Sequence, residues 1–155
     1  MLWPRFGQSE QYTGAEIKLP ADFDGHVVAA KFVSMGNPHY VIFVDRMEGL
    51  DIARAGKLLE RDEAFPERCN IEFAQLLGND QIRTRVWERG SGITQACGTG
   101  ACATAAAAAS LGLASRHPAV LMDGGTLDIR WSANDDHIYM TGPAAFVFEG
   151  DIPMG

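Results

Sequence analysis

Residues 88–110 read ERGSGITQACGTGACATAAAAAS, and this stretch decides the fold. From Ala101 to Ala109 no face carries a charged side chain, and a helix that is apolar all round is buried all round. Alanine has the highest helix propensity and keeps the rod thin, so neighbouring backbones can approach closely. The run predicts a helix from near Cys97 to about Leu111, with Gly112 as its C-terminal stop.

A chain of 155 residues can bury such a helix only if most of its other elements surround it. Alternating or apolar runs predict strands near 15–19, 26–34, 39–45, 69–77, 81–88, 119–122, 126–131, 137–141 and 144–148. One further helix, LDIARAGKLLERD, is amphipathic, with Ile52, Ala55, Leu58 and Leu59 on one broad face. The expected architecture is therefore α+β. A curved, mostly antiparallel sheet or small barrel wraps a central alanine-rich helix, in one domain over 1–155 with a loosely held tail at 1–12.

Composition narrows the function. Hydrophobic residues are 46% and charged residues 21%, as in an ordinary globular protein. A formal charge of −7 leaves no excess of cations to neutralise phosphates, which argues against nucleic acid as a partner. No window approaches the ~18 apolar residues of a membrane span. The start MLWPRFGQSEQ lacks an apolar secretory core, so a cytoplasmic setting is expected. Cys69, Cys97 and Cys102 form an odd set without disulfide spacing, and reduced thiols are the simplest reading. No metal site is expected. Cys97 and Cys102 are five apart, which turns them to opposite faces of a helix.

Cys97 stands at the start of the buried helix, beside Gly98, Thr99 and Gly100. First-turn N–H groups have no intrahelical acceptor and carry partial positive charge. That setting lowers a thiol pKa and can also hold a carboxylate, so the expectation is an activated sulfur beside an anion cradle. Cys69 and Cys102 read as buried small hydrophobes. Two other polar islands stand out. In MGNPHYVIFVD, Asn37 and His39 alternate around Pro38 and point to one side of an extended segment. In QIRTRVWERG, Glu88 and Arg89 close a strand before two glycines, and Asn70 leads the strand NIEFAQLL.

Together VSMGNPHYVIFVD, FPERCNIEF, RVWERGSGITQACGTGACA and YMTGPAAFVFEG resemble the C-terminal half of diaminopimelate epimerase in order and spacing, from about Phe32 to the end. Proline racemase-like enzymes are similar only in the CG[ST]G element. The resemblance implies a fold of two pseudo-symmetric lobes, each a sheet curled around a helix, of which this chain carries one. It implies interconversion of LL- and meso-diaminopimelate with neither pyridoxal phosphate nor metal, one cysteine removing the α-proton and a second returning a proton to the other face. Cys97 matches one of those cysteines, and His39 and Glu88 match groups that tune them. Asn37, Asn70, Glu88, Arg89, Gly98 and Thr99 match substrate-binding positions, Arg89 being suited to grip a carboxylate.

The implied partner is an N-terminal lobe carrying the other cysteine; nothing before Phe32 resembles it. Pseudo-two-fold symmetry also permits a homodimer. A catalytically silent binding module that keeps half the site is the alternative. Two positions depart from the family pattern: Tyr40 stands where many members are small or Cys, and Ile93 replaces a commonly acidic residue.

Overall fold

The computed structural model describes residues 5–6 and 10–155, the first pair as backbone only. Among the described residues nine strands and two α-helices follow in the order β1 (Arg5–Phe6), β2 (Val27–Ser34), β3 (Pro38–Val44), α1 (Ile52–Leu59), β4 (Asn70–Gly78), β5 (Gln81–Glu88), β6 (Gly92–Thr94), α2 (Gly98–Ser110), β7 (Ala119–Met122), β8 (Gly125–Trp131) and β9 (Ile138–Thr141). They form one sheet in the order β1-β2-β3-β4-β5-β7-β8-β9, with β6 paired to the end of β5. Only β3–β4 and β5–β7 are parallel; the other pairs are antiparallel. The sheet curls but does not close, because β1 and β9 remain its two edges.

The alanine helix lies inside the curl. α2 touches β2, β3, β4, β5, β7, β8 and β9, and every residue from Gly100 to Ala108 is buried. It ends where expected: Gly112 adopts φ 70°, its N–H bonds Ala109 O, and Leu113 N–H bonds Ala108 O at 2.9 Å. That is a Schellman closure, and it needs a residue that tolerates the left-handed conformation. α1 begins on Asp51, whose carboxylate accepts the Arg54 N–H at 3.0 Å, and packs its apolar face on the outside of the sheet.

The central strands are buried on both faces, so strand alternation sorts their side chains between two cores. Val41, Phe43, Ala74, Ile82 and Val86 face α2, whereas Ile42, Val44, Ile71 and Phe73 face the α1 side. His39 shares the α2 face of β3 with Val41, and Glu72 shares that of β4 with Ala74.

Three expectations change. Residues 15–19 form no strand: Ala15, Ile17 and Leu19 pack side chains on the α1-side core without joining a ladder. Residues 144–148 form no strand either, since no strand among the described residues pairs with them, and Phe146, Val147 and Phe148 are 83–90% exposed. β6 is a three-residue strand, too short for periodicity to announce. Of the expected loose tail, residues 1–4 and 7–9 lie outside the described residues; Tyr12 at its end stacks on Phe32 at 5.1 Å between ring centroids.

Candidate active site

Cys97 is the N-cap of α2. Its backbone is extended (φ −144°, ψ 107°), and its Sγ accepts the Gly100 N–H at 3.3 Å, where a serine or aspartate oxygen would ordinarily serve. Thr99 Oγ1 lies 3.7 Å from the same sulfur. Gly100 is needed for the approach: a Cβ there would stand 2.8 Å from Glu72 Oε1 and 3.2 Å from Cys97 Sγ. The N–H groups of Gly98 and Thr99 belong to the first turn, which the helix cannot satisfy from within.

The Asn37–His39 island reaches this helix start from β3. Asn37 Nδ2 donates to Thr99 Oγ1 at 3.3 Å, and Asn37 Oδ1 lies 3.1 Å from His39 Nε2. His39 Nδ1 lies 2.6 Å from Glu72 Oε1, with both side chains fully buried. Asn70 sits one strand over, in register with His39. Its Nδ2 donates to Pro38 O at 2.9 Å, and its Oδ1 accepts the Arg89 N–H at 2.8 Å. Asn70 thus ties the β3 island to the β5 turn.

Glu88 and Arg89 diverge, as alternation requires. Glu88 Oε1 accepts the Thr94 hydroxyl at 2.6 Å, while Arg89 is exposed and donates from Nη1 to Glu67 O at 3.0 Å. Among the described residues no carboxylate accepts from Arg89; its side chain rests on a backbone carbonyl at the rim. The structure brings Asn37, His39, Cys97 and Thr99 into one hydrogen-bonded run, with Gly98 in the same helix turn. Asn70, Glu88 and Arg89 flank it through the β5–β6 turn.

The expected activation of the thiol is not what this environment produces. Burial pushes the Cys97 thiol up and the Glu72 carboxylate adds to it, with Glu88 contributing a smaller push. The Thr99 hydroxyl and the Gly100 N–H pull the other way and do not win. The helix-start effect is real but short-ranged, whereas the opposing charge comes from β4 beneath it. Cys69 and Cys102 are both fully buried; burial raises Cys69 well above the ordinary range and Cys102 to about 11.

Two carboxylates escaped the sequence reading. Glu72 looks like a lone outward-facing charge in NIEF, yet it is at 0% exposure, and burial raises its carboxyl while His39 opposes that. Glu60, at the end of α1, accepts Trp87 Nε1–H at 2.8 Å and Gly90 N–H at 3.0 Å, and so pins the turn that carries Glu88 and Arg89. Burial would raise Glu60, but those two donors together with Arg61 and Arg68 hold it below its ordinary value.

The two departures lie away from the sulfur. Tyr40 packs on the α1-side core, its ring 5.3 Å from that of Phe65 and 5.7 Å from that of Tyr12. Ile93 is partly exposed opposite Trp87 in the β5–β6 pair. Among the described residues no group of His, Cys, Asp and Glu is arranged to hold a metal ion, and no helix is long and apolar enough to cross a membrane.

The sequence profile of the family described as diaminopimelate epimerase matches residues 31–147, a span that contains every residue of this site. The chain belongs to the diaminopimelate epimerase family. It is 52% identical over 148 residues to the diaminopimelate epimerase of Phocaeicola vulgatus, covering 96% of this chain and 53% of that protein. It is 50% identical over 134 residues to the Synechocystis enzyme of the same name, covering 86% and 48%. The chain thus spans about half the length of these diaminopimelate epimerases. In three dimensions it is similar to a PhzF-family phenazine biosynthesis protein of Bacillus anthracis, with a TM-score of 0.50 at 22% identity over 74% of this chain and 37% of that one. A PhzF-family protein of Enterococcus faecalis gives 0.51 at 15% identity, over 63% and 35%. These two likenesses concern the fold alone: one lobe in which a curled sheet holds a central helix.

Proposed function

We propose that this chain supplies one half of a diaminopimelate epimerase active site, in which Cys97 is one of two thiols that invert an α-carbon between the LL and meso forms. The observation that carries the reading is the capping sulfur. Cys97 stands at a helix start whose neighbouring N–H groups suit an α-carboxylate, and Asn37 and His39 at the start of β3 and Glu72 from β4 lie beside that start. Inversion needs a base on one face of the carbon and an acid on the other. Burial and Glu72 hold the Cys97 thiol above its ordinary range in this chain, a direction that favours its protonated form. Substrate binding falls to Asn37, Asn70, Glu88, Arg89, Gly98 and Thr99, and His39 and Glu88 tune the sulfur. The scheme uses no cofactor or metal, and its dependence on reduced thiols is in keeping with a cytoplasmic setting.

The second thiol and the remaining carboxylate contacts come from an N-terminal lobe. The exposed run Phe146, Val147 and Phe148, followed by Ile152 and Met154, supports such a partner, because contiguous apolar side chains in water mark a surface that is normally covered. Abstraction of a weakly acidic α-proton also demands a closed, dry site, which one lobe does not enclose. A homodimer would set two Cys97 thiols across one cleft but would duplicate one set of contacts. The test is conversion of LL- to meso-diaminopimelate, followed by chiral chromatography, for this chain alone and mixed with the N-terminal half of a relative such as the Phocaeicola vulgatus protein. Conversion only in the mixture is expected. No conversion in a mixture shown to form a complex would reject the reading.

A further inference from the structure

Beneath the thiol lies a carboxyl that the scheme above does not use. Glu72 and His39 meet at 2.6 Å with neither side chain exposed, and Glu72 Oε2 is a buried oxygen with no hydrogen-bond partner among the described residues. Burying a carboxyl costs several kcal/mol unless it is well paired, so an apolar residue on this face of β4 would be the cheaper choice for the fold alone. The pairing continues outward without a gap. From Glu72 Oε1 it passes to His39 Nδ1, from His39 Nε2 to Asn37 Oδ1 at 3.1 Å, from Asn37 Nδ2 to Thr99 Oγ1 at 3.3 Å, and from Thr99 Oγ1 to Cys97 Sγ at 3.7 Å.

We propose that Glu72 is a positioning residue for the Cys97 sulfur, acting through His39, Asn37 and Thr99; the proposal rests on the reading of Cys97 as an acid/base thiol. Hydrogen-bond direction decides what Glu72 does to the sulfur. A carboxyl and an imidazole buried together are neutral overall when they hold one proton between Oε1 and Nδ1 and a second on Nε2. Nε2–H then donates to Asn37 Oδ1, which aims the Asn37 amide N–H at Thr99. Thr99 Oγ1 is thereby an acceptor from Asn37, and its own O–H is left for Cys97 Sγ. The reverse order, with Nε2 bare, either leaves a net charge in the core or puts the second proton on Glu72 Oε2, where it meets no acceptor among the described residues, and it turns the Asn37 amide round. The Thr99 hydroxyl would then donate to Asn37, and the sulfur would lose that hydroxyl and keep only the Gly100 N–H. Glu72 therefore acts at a distance, by deciding which way the run is polarised.

Long-range 1H–15N spectra of the His side chains, with His39 assigned from a His39→Gln variant, read the direction in the chain as it stands. They need no turnover, so they remain decisive whether or not the epimerase reading holds. A protonated Nε2 is expected at pH 7, and a bare Nε2 overturns the proposal. Iodoacetamide labelling of Cys97 supplies the second reading. Glu72→Leu and Glu72→Gln both remove the carboxylate that raises the Cys97 thiol, so the two variants are compared with each other. Gln, whose amide N–H can still donate to Nδ1, is expected to keep Nε2–H, whereas Leu is expected to lose that preference and to label about 3- to 10-fold more slowly than Gln, the worth of one hydrogen bond to the sulfur. Equal labelling of Leu and Gln would contradict the proposal. If Glu72→Leu does not fold, the parent and Gln spectra decide alone.

Discussion

Cys97 Sγ accepts the Gly100 N–H at 3.3 Å, so the sulfur closes the first turn of the helix on which the fold is built. Structure and chemistry share one atom. Removing the sulfur opens the cap as well as the site, and a loss of ~1 kcal/mol is expected for Cys97→Ala, against near-neutrality for Cys97→Ser, whose hydroxyl can take the cap. Denaturant titration of the two variants measures this.

The alkylation profile of the same thiol has a definite sign. Thiolate is the reactive form, and burial with Glu72 raises the Cys97 pKa, so labelling at pH 7 is expected to be slower than for a free thiol and to climb on the alkaline side of the ordinary thiol range. Cys97 should still label ahead of Cys69 and Cys102, which are fully buried and also raised. Peptide mass mapping across pH checks both points; a plateau already reached at pH 7 would contradict them.

Ala105 and Ala106 are 2% and 0% exposed within the curl of the sheet. Enlarging either to Leu forces the surrounding strands apart, and each variant is expected to lose about 1–3 kcal/mol. Equilibrium unfolding reports the change; an unchanged midpoint in both would mean that the strands do not enclose α2.

The Glu60 clamp predicts an acid-sensitive turn. Because the folded carboxyl lies below its ordinary value, its contribution is complete above the unfolded-state value and is lost as pH falls through the folded one. Glu60→Gln removes that dependence. It also turns one donor of the amide against Trp87 Nε1–H or Gly90 N–H, and leaving a buried donor unpaired costs about 1–3 kcal/mol. Trp87 fluorescence during acid titration of the two proteins separates them.

What was legible in the sequence followed from local pattern. The alanine run announced a helix buried on every side, Gly112 announced its end, and the apolar alternation located β2 to β5 and β7 to β9. The glycines around Cys97 pointed to a helix-start thiol. What stayed hidden was set by residues from other strands. Nothing within NIEF says that Glu72 faces α2 and not water, since alternation assigns faces without saying which is inside. Burial of the thiol, followed by the nearby Glu72, raises the Cys97 pKa, and neither is visible in the local glycine pattern. The exposed run at 144–148 carries strand-forming residues, but a strand also needs a neighbour, and none of the described residues provides it.

The central claim is that Cys97 handles the α-proton of diaminopimelate once a complementary lobe closes the site. Following the α-hydrogen of LL-diaminopimelate by NMR in deuterated water tests it at the reacting atom. The account predicts no exchange with this chain alone, exchange on adding the N-terminal half of a relative, and loss of that exchange in Cys97→Ala. Exchange that persists undiminished in Cys97→Ala would contradict it.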